Sequence, residues 1–195
     1  LFDIEKMLKD PSTQPIQTTL NMTVSGRLVF GFPPGDNDKP QEQPTPKPLT
    51  FSLTTQQAKL LANFTVLEPS YLPAGYILEG MDYDPYTQKV GMKYISQQSE
   101  GTLFIYQQRG DFVHDPAMQA YVTPVSIGNV EAEYVQGAWI YDTPATTTPR
   151  WDPSATFYSL TWQKGAITYS IEFIGGETVT PLPLSEFVAI AESLK

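Results

Sequence analysis

The sequence predicts an α+β fold: a twisted antiparallel β-sheet, made of a meander and hairpins, with a C-terminal helix and a short helix packed on one face. Three observations lead there. Residues 156–173, TFYSLTWQKGAITYSIEF, alternate apolar and polar side chains on both sides of Lys164-Gly165, as a hairpin with one buried face requires. The closing LSEFVAIAESLK carries Phe187, Ile190, Ala191 and Leu194 at i, i+3, i+4 and i+7, one stripe of a helix that covers a sheet. Eighteen prolines and 13 glycines against 17% charged residues favour many short strands and turns over long helices.

In chain order, LFDIEKMLKD sets Leu1, Ile4 and Leu8 against outward Asp3, Glu5 and Lys6, one or two turns of amphipathic helix ended by Asp10-Pro11. From Thr18 to Phe32 the even positions Leu20, Met22, Val24, Leu28, Phe30 and Phe32 are apolar. A turn at Ser25-Gly26 would reverse that pattern, so one long strand bent at Gly26 is expected. Residues 33–48, PPGDNDKPQEQPTPKP, hold no large apolar side chain and read as an exposed loop. Its Asp36, Asn37 and Asp38 lack the glycine and the closing glutamate of a calcium loop.

Thr54 or Thr55 caps a short helix through about Leu61, with Ala58, Leu61 and Ala62 inward. Pro69 and Pro73 then hold the chain extended. Ile77 to Tyr83, Lys89 to Ser96 and Thr102 to Gln108 form a three-stranded meander, and residues 109–118 are irregular. Tyr121 to Ile127 and Val130 to Gln136 make a hairpin about Gly128-Asn129, a type II′ candidate. Its buried face pairs Ile127 with Val130, Val125 with Ala132 and Thr123 with Tyr134. Pro124 marks an edge strand. A second proline-rich loop, Thr143 to Pro153, leads to the 156–173 hairpin. With Lys164-Gly165 as the turn, Trp162 faces Ile167, Leu160 faces Tyr169 and Tyr158 faces Ile171, while the opposite face meets mostly water. Ser185 is the expected N-cap of the closing helix.

At 195 residues and 41% hydrophobic content the chain is read as a single domain 1–195, with 1–53 an N-terminal helix, strand and loop. A net charge of −9 opposes nucleic acid as a partner. Without cysteine, disulfides and thiolate metal sites are unavailable. His114 is the one histidine; a lone base beside Asp111 or Asp115 is conceivable, but a surface loop explains it. Asp82 and Asp84 have the spacing of paired carboxylates, yet Asp84-Pro85 also initiates a turn. Ser70 has neither a histidine partner nor a G-x-S-x-G setting. Asn21-Met22-Thr23 and Asn63-Phe64-Thr65 match the glycosylation triplet, a pattern common by chance. Tyr83, Tyr86, Tyr94, Tyr106, Tyr121, Trp139 and Trp151 are numerous enough to line a binding groove, although half or more should be packing residues. No catalytic, cofactor-binding or metal-binding residue is therefore assigned, and no cofactor.

The run ANFTVLEPSYLPAGY at Ala62 to Tyr76, with LTWQKGAITYSIEF and the closing Ala191-Glu192-Ser193-Leu194, resembles the DUF4367 family over about 54–195. Its most specific parts are Pro69 to Tyr76, Trp162 with Gly165 and Tyr169, and Ala191 to Leu194. The resemblance implies an uncharacterised bacterial domain outside the cytoplasmic membrane, often attached to an anti-sigma-type or other membrane-anchored protein, with no catalytic residues to carry over. Leu1 in place of an initiator Met adds the expectation of an upstream signal peptide or anchor. The functional expectation is a non-enzymatic sensing or binding module with an unknown protein partner, or alternatively a carrier holding a lipid or other apolar ligand against the curved sheet.

Overall fold

The computed structural model describes residues 50–98, 100–112, 116–140, 149–176 and 179–195. The expected N-terminal helix, the strand Thr18 to Phe32, the loop 33–48, His114 and Asp115 lie outside them.

Helix α1 (Thr55–Leu61) precedes the meander of β1 (Tyr76–Asp84), β2 (Lys89–Ser96) and β3 (Thr102–Arg109). A 3-10 turn over Pro116–Tyr121 leads to β4 (Val122–Ile127) and β5 (Val130–Gln136). Two short strands, β6 (Ala138–Ile140) and β7 (Arg150–Asp152), come before β8 (Phe157–Lys164), β9 (Ile167–Ile174) and helix α2 (Leu184–Glu192). Seven strands form one antiparallel sheet in the order β1-β2-β3-β9-β8-β5-β4. The α+β fold with its antiparallel meander and hairpins is thus as expected.

One face of the sheet is the core. Val90, Met92, Leu103, Ile105, Leu160, Ile171 and Phe173 are fully buried there, beneath Ala58 of α1 and Phe187 and Ile190 of α2. Each large apolar side chain so buried stabilises the fold by about 1.5 to 3 kcal/mol. Trp162 is also buried and stacks on Tyr169 with ring centroids 5.3 Å apart.

The β8–β9 hairpin differs from expectation in its turn. Lys164 pairs with Ile167, Trp162 with Tyr169, Leu160 with Ile171 and Tyr158 with Phe173, so the two turn residues are Gly165 and Ala166. Gly165 takes a φ of 63°, the left-handed value that a type II′ turn asks of its first residue and that lysine resists. Moving the turn by one residue shifts each partner by two, which preserves the faces.

Helix α1 starts at Thr54 with a reciprocal capping box to Gln57, but Leu61 points outward at 51% exposure. Seven residues make two turns, and the inward stripe narrows to Ala58 and the half-buried Ala62. In α2 the N-cap is Pro183, not Ser185, and no side chain caps it. Proline has no N–H to satisfy and its fixed φ directs the chain into the first turn. Tyr121 belongs to the 3-10 turn rather than to β4, and Thr123 is exposed because β4 is the outermost strand. Its Pro124 sits at that edge, as expected. The loop read from Thr143 to Pro153 contains β7, paired with β6 through Trp139 and Trp151.

Candidate functional site

The segment Glu68 to Tyr71 lies along the end of α2. Glu68 and Lys195 exchange backbone hydrogen bonds, each 3.1 Å. The Ser70 amide and hydroxyl both donate to the Ser193 carbonyl, and the Ser193 hydroxyl donates to the Tyr71 and Ile190 carbonyls. The Tyr71 hydroxyl donates to Glu186 at 2.7 Å, which raises the phenol's pKa. Ser70 is therefore more than a turn residue; it fastens two distant parts of the chain.

Gln107 fixes the same segment from below. It occupies a core position of β3 after Leu103 and Ile105, is fully buried, accepts from the Leu67 amide at 2.9 Å and donates to the Leu67 carbonyl at 2.6 Å. A buried amide costs little when each group finds a partner. The sequence displays it as one polar residue in an apolar alternation.

Asp82 and Asp84 are committed to backbone. Asp82 accepts from the amides of Thr50 and Tyr83, and Asp84 from the Tyr86 amide and the Thr87 hydroxyl. Partial burial pushes the Asp84 carboxyl up, but the bonds from Thr87 and Tyr86 outweigh it and hold the group below its usual range. The Asp84 contacts form the β1–β2 turn, whereas Asp82 ties Thr50 to β1. Asp111 accepts from Gln163 at 3.0 Å. Among the described residues no three His, Asp or Glu side chains gather to hold a metal ion.

The aromatic residues separate into three settings. Tyr94 is buried in the core, and burial drives its phenol pKa up. Tyr86 is almost fully exposed, while Tyr83 packs at the core margin. Tyr121, Trp139 and Trp151 come together: Tyr121 stacks on Trp151 at 4.5 Å, and Trp139 meets both rings edge-on at 5.4 and 6.1 Å. All three retain solvent contact. An open groove of about 840 Å³ runs along β4, β5 and β8, lined by Pro124, Glu131, Thr161 and Gln163 among others, and its Gln119 and Val122 flank Tyr121 in the chain. An aromatic cluster flanked by carboxylates, amides and a proline edge suits recognition of another surface.

The face of the sheet away from the helices is not the wet surface expected. Phe51 lies 5.5 Å from Phe104, Phe104 stacks on Tyr106 at 5.9 Å, and the Lys89 ammonium sits 3.8 Å above the Tyr106 ring. Gly80 and Gly91 make room for Phe51. A Cβ on Gly80 would overlap the Phe51 carbonyl, and one on Gly91 would stand 2.9 Å from the Tyr106 ring and 3.1 Å from that of Phe51. Desolvation raises the pKa of the Glu172 carboxyl on this face, opposed by the Lys89 charge and a hydrogen bond from Ser170. The hydrophobic alternation of β2 and β3 hides this second apolar patch, because Phe51 reaches it from outside any strand.

The sequence model of a family described as a domain of unknown function, DUF4367, matches residues 66–194. The chain belongs to the DUF4367 family. The match begins with the segment that Gln107 anchors and ends at the helix terminus that Ser70 binds, so its two limits meet in space and form one structural fastening. No curated protein and no solved structure matches the chain. No helix among the described residues is long and apolar enough to cross a membrane.

Proposed function

We propose that this DUF4367 domain is a non-enzymatic binding module that works outside the cytoplasmic membrane as part of a membrane-anchored protein, and that it takes a protein partner on the Tyr121–Trp139–Trp151 cluster and the adjoining groove. The reading is carried by one observation: the interior is filled while a three-ring cluster meets solvent. A carrier of apolar ligands requires a cavity between sheet and helices, and that space is occupied by Phe173, Phe187, Ile171 and Ile190, all without solvent exposure. Stacked tyrosine and tryptophan with one polar and one apolar side are the side chains most enriched where proteins anchor each other.

The test uses the full-length gene product in intact cells, with a photoreactive benzoylphenylalanine at Tyr121 and, as a control, at Leu60 of α1, which is 79% exposed. A discrete protein adduct from position 121 and not from 60, together with digestion of the domain by protease added to spheroplasts, is the expected result. Equal labelling from both positions overturns the binding surface. Protection from the protease until lysis overturns the location.

A further inference from the structure

We propose that residues 18–32 of this chain dock on the outer face of the sheet, over β1, β2, β3 and β9. The path of the chain leads there. Leu53 bridges Met81 at the free edge of β1 through two backbone hydrogen bonds of 2.9 and 3.0 Å, and α1 beyond it packs on the core face. On the other side of Leu53, Phe51 adopts a φ of 44°, its carbonyl over Gly80 and its ring over Gly91. A non-glycine residue in this conformation is held by its surroundings. The chain thus wraps round the β1 edge, and Thr50, whose amide donates to Asp82, leaves on the outer side.

That face has the character of an interface. An antiparallel sheet with one wet side alternates apolar and polar residues cleanly. Here the outer positions include Ile95, Phe104, Tyr106 and Ile174, with Phe51 added from outside the sheet, and the surroundings of Glu172 favour its neutral form. The complementary surface is in the same chain: Leu20, Met22, Val24, Leu28, Phe30 and Phe32 repeat at period two, which gives a strand one apolar side. Geometry permits the contact. Residues 33–49 reach on the order of 55 Å when extended, whereas β1 to β9 spans only about 15 Å at the usual strand spacing. A tethered segment also has an effective concentration on the order of millimolar, which favours it over a second copy of the chain.

The experiment is paramagnetic relaxation enhancement on the whole chain, which contains no cysteine and so accepts a single spin label cleanly. One label is placed through Lys93→Cys, on the outer face between Gly80 and Phe104. A second goes through Leu60→Cys on the helix side. Docking predicts at least a twofold loss of amide signal across residues 18–32 from the first label and none from the second. Adding Val24→Asp and Phe30→Asp should restore those signals, with shift changes confined to the outer-face residues of β1, β2, β3 and β9 and the core-face residues unchanged. Three results would overturn the proposal: no loss from the Lys93 position, equal loss from both, or loss that persists when the label sits on one chain and the isotope on another. The last identifies a second copy as the occupant.

Discussion

Gln107→Leu isolates the energy of the contact beneath the Leu67 segment. The substitution keeps the size and burial of the side chain and removes both hydrogen bonds to Leu67. Two part-buried backbone groups then lose their partners, at about 1 to 3 kcal/mol each, and the added apolar burial offsets roughly 1 kcal/mol of that. A net loss of about 1 to 5 kcal/mol follows, which for a chain of this size lowers Tm by on the order of 10 °C. Urea titration followed by tryptophan fluorescence measures it, since Trp162 is buried against Tyr169 and changes environment on unfolding. Hydrogen exchange at the Leu67 amide gives the local readout and should accelerate more than exchange in β9. A loss below about 0.5 kcal/mol with Leu67 still protected would show that water or another group replaces Gln107, and the anchoring argument would be refuted.

Three further outcomes are expected. Gly91→Ala should destabilise by about 1 to 3 kcal/mol through overpacking against Tyr106 and Phe51, and Phe51→Ala in the same chain should relieve part of that cost, as a double-mutant cycle in urea would reveal. Gly165→Ala should cost about 1 to 2 kcal/mol because alanine resists the positive φ of the turn, with Gly165→Asn costing less. For Glu172, the folded carboxyl titrates above the unfolded one, so its contribution is fully present below the unfolded pKa and is lost as pH rises through the folded value. Glu172→Gln should therefore gain stability relative to the parent as pH rises, and thermal melts across that range would reject the assignment if the difference stays constant.

Much of the sheet is legible in the sequence because alternation and turn chemistry agree. The boundaries of β2 and β5 follow directly from Lys89 to Ser96 and Val130 to Gln136, and the β4–β5 register from Gly128-Asn129. The β8–β9 register was legible only in its faces, since Lys164-Gly165 and Gly165-Ala166 generate the same alternation and only the backbone angle separates them. Leu61 and Ser185 were misread for a different reason: a short helix has too few turns to fix its inward direction, and a proline cap leaves no side-chain signal. The outer aromatic patch and the Tyr121–Trp139–Trp151 cluster depend on contacts between residues far apart in sequence, which periodicity does not encode. Gln107 was present as a polar residue out of place, but its partner is a backbone group, and backbone carries no sequence signature.

The fastening between Glu68 and Lys195 has a mechanical consequence. The chain through Glu68 and the chain at Lys195 run side by side, bonded amide to carbonyl. The seven-stranded sheet and α2 lie in the stretch of chain between these two points, so the seam closes one loop around them. Tension applied at those two points would load the paired backbone bonds and Ser70 before it reached the sheet. Mechanically, the sheet and α2 are shielded by this seam, and a pull between Glu68 and Lys195 should open it first.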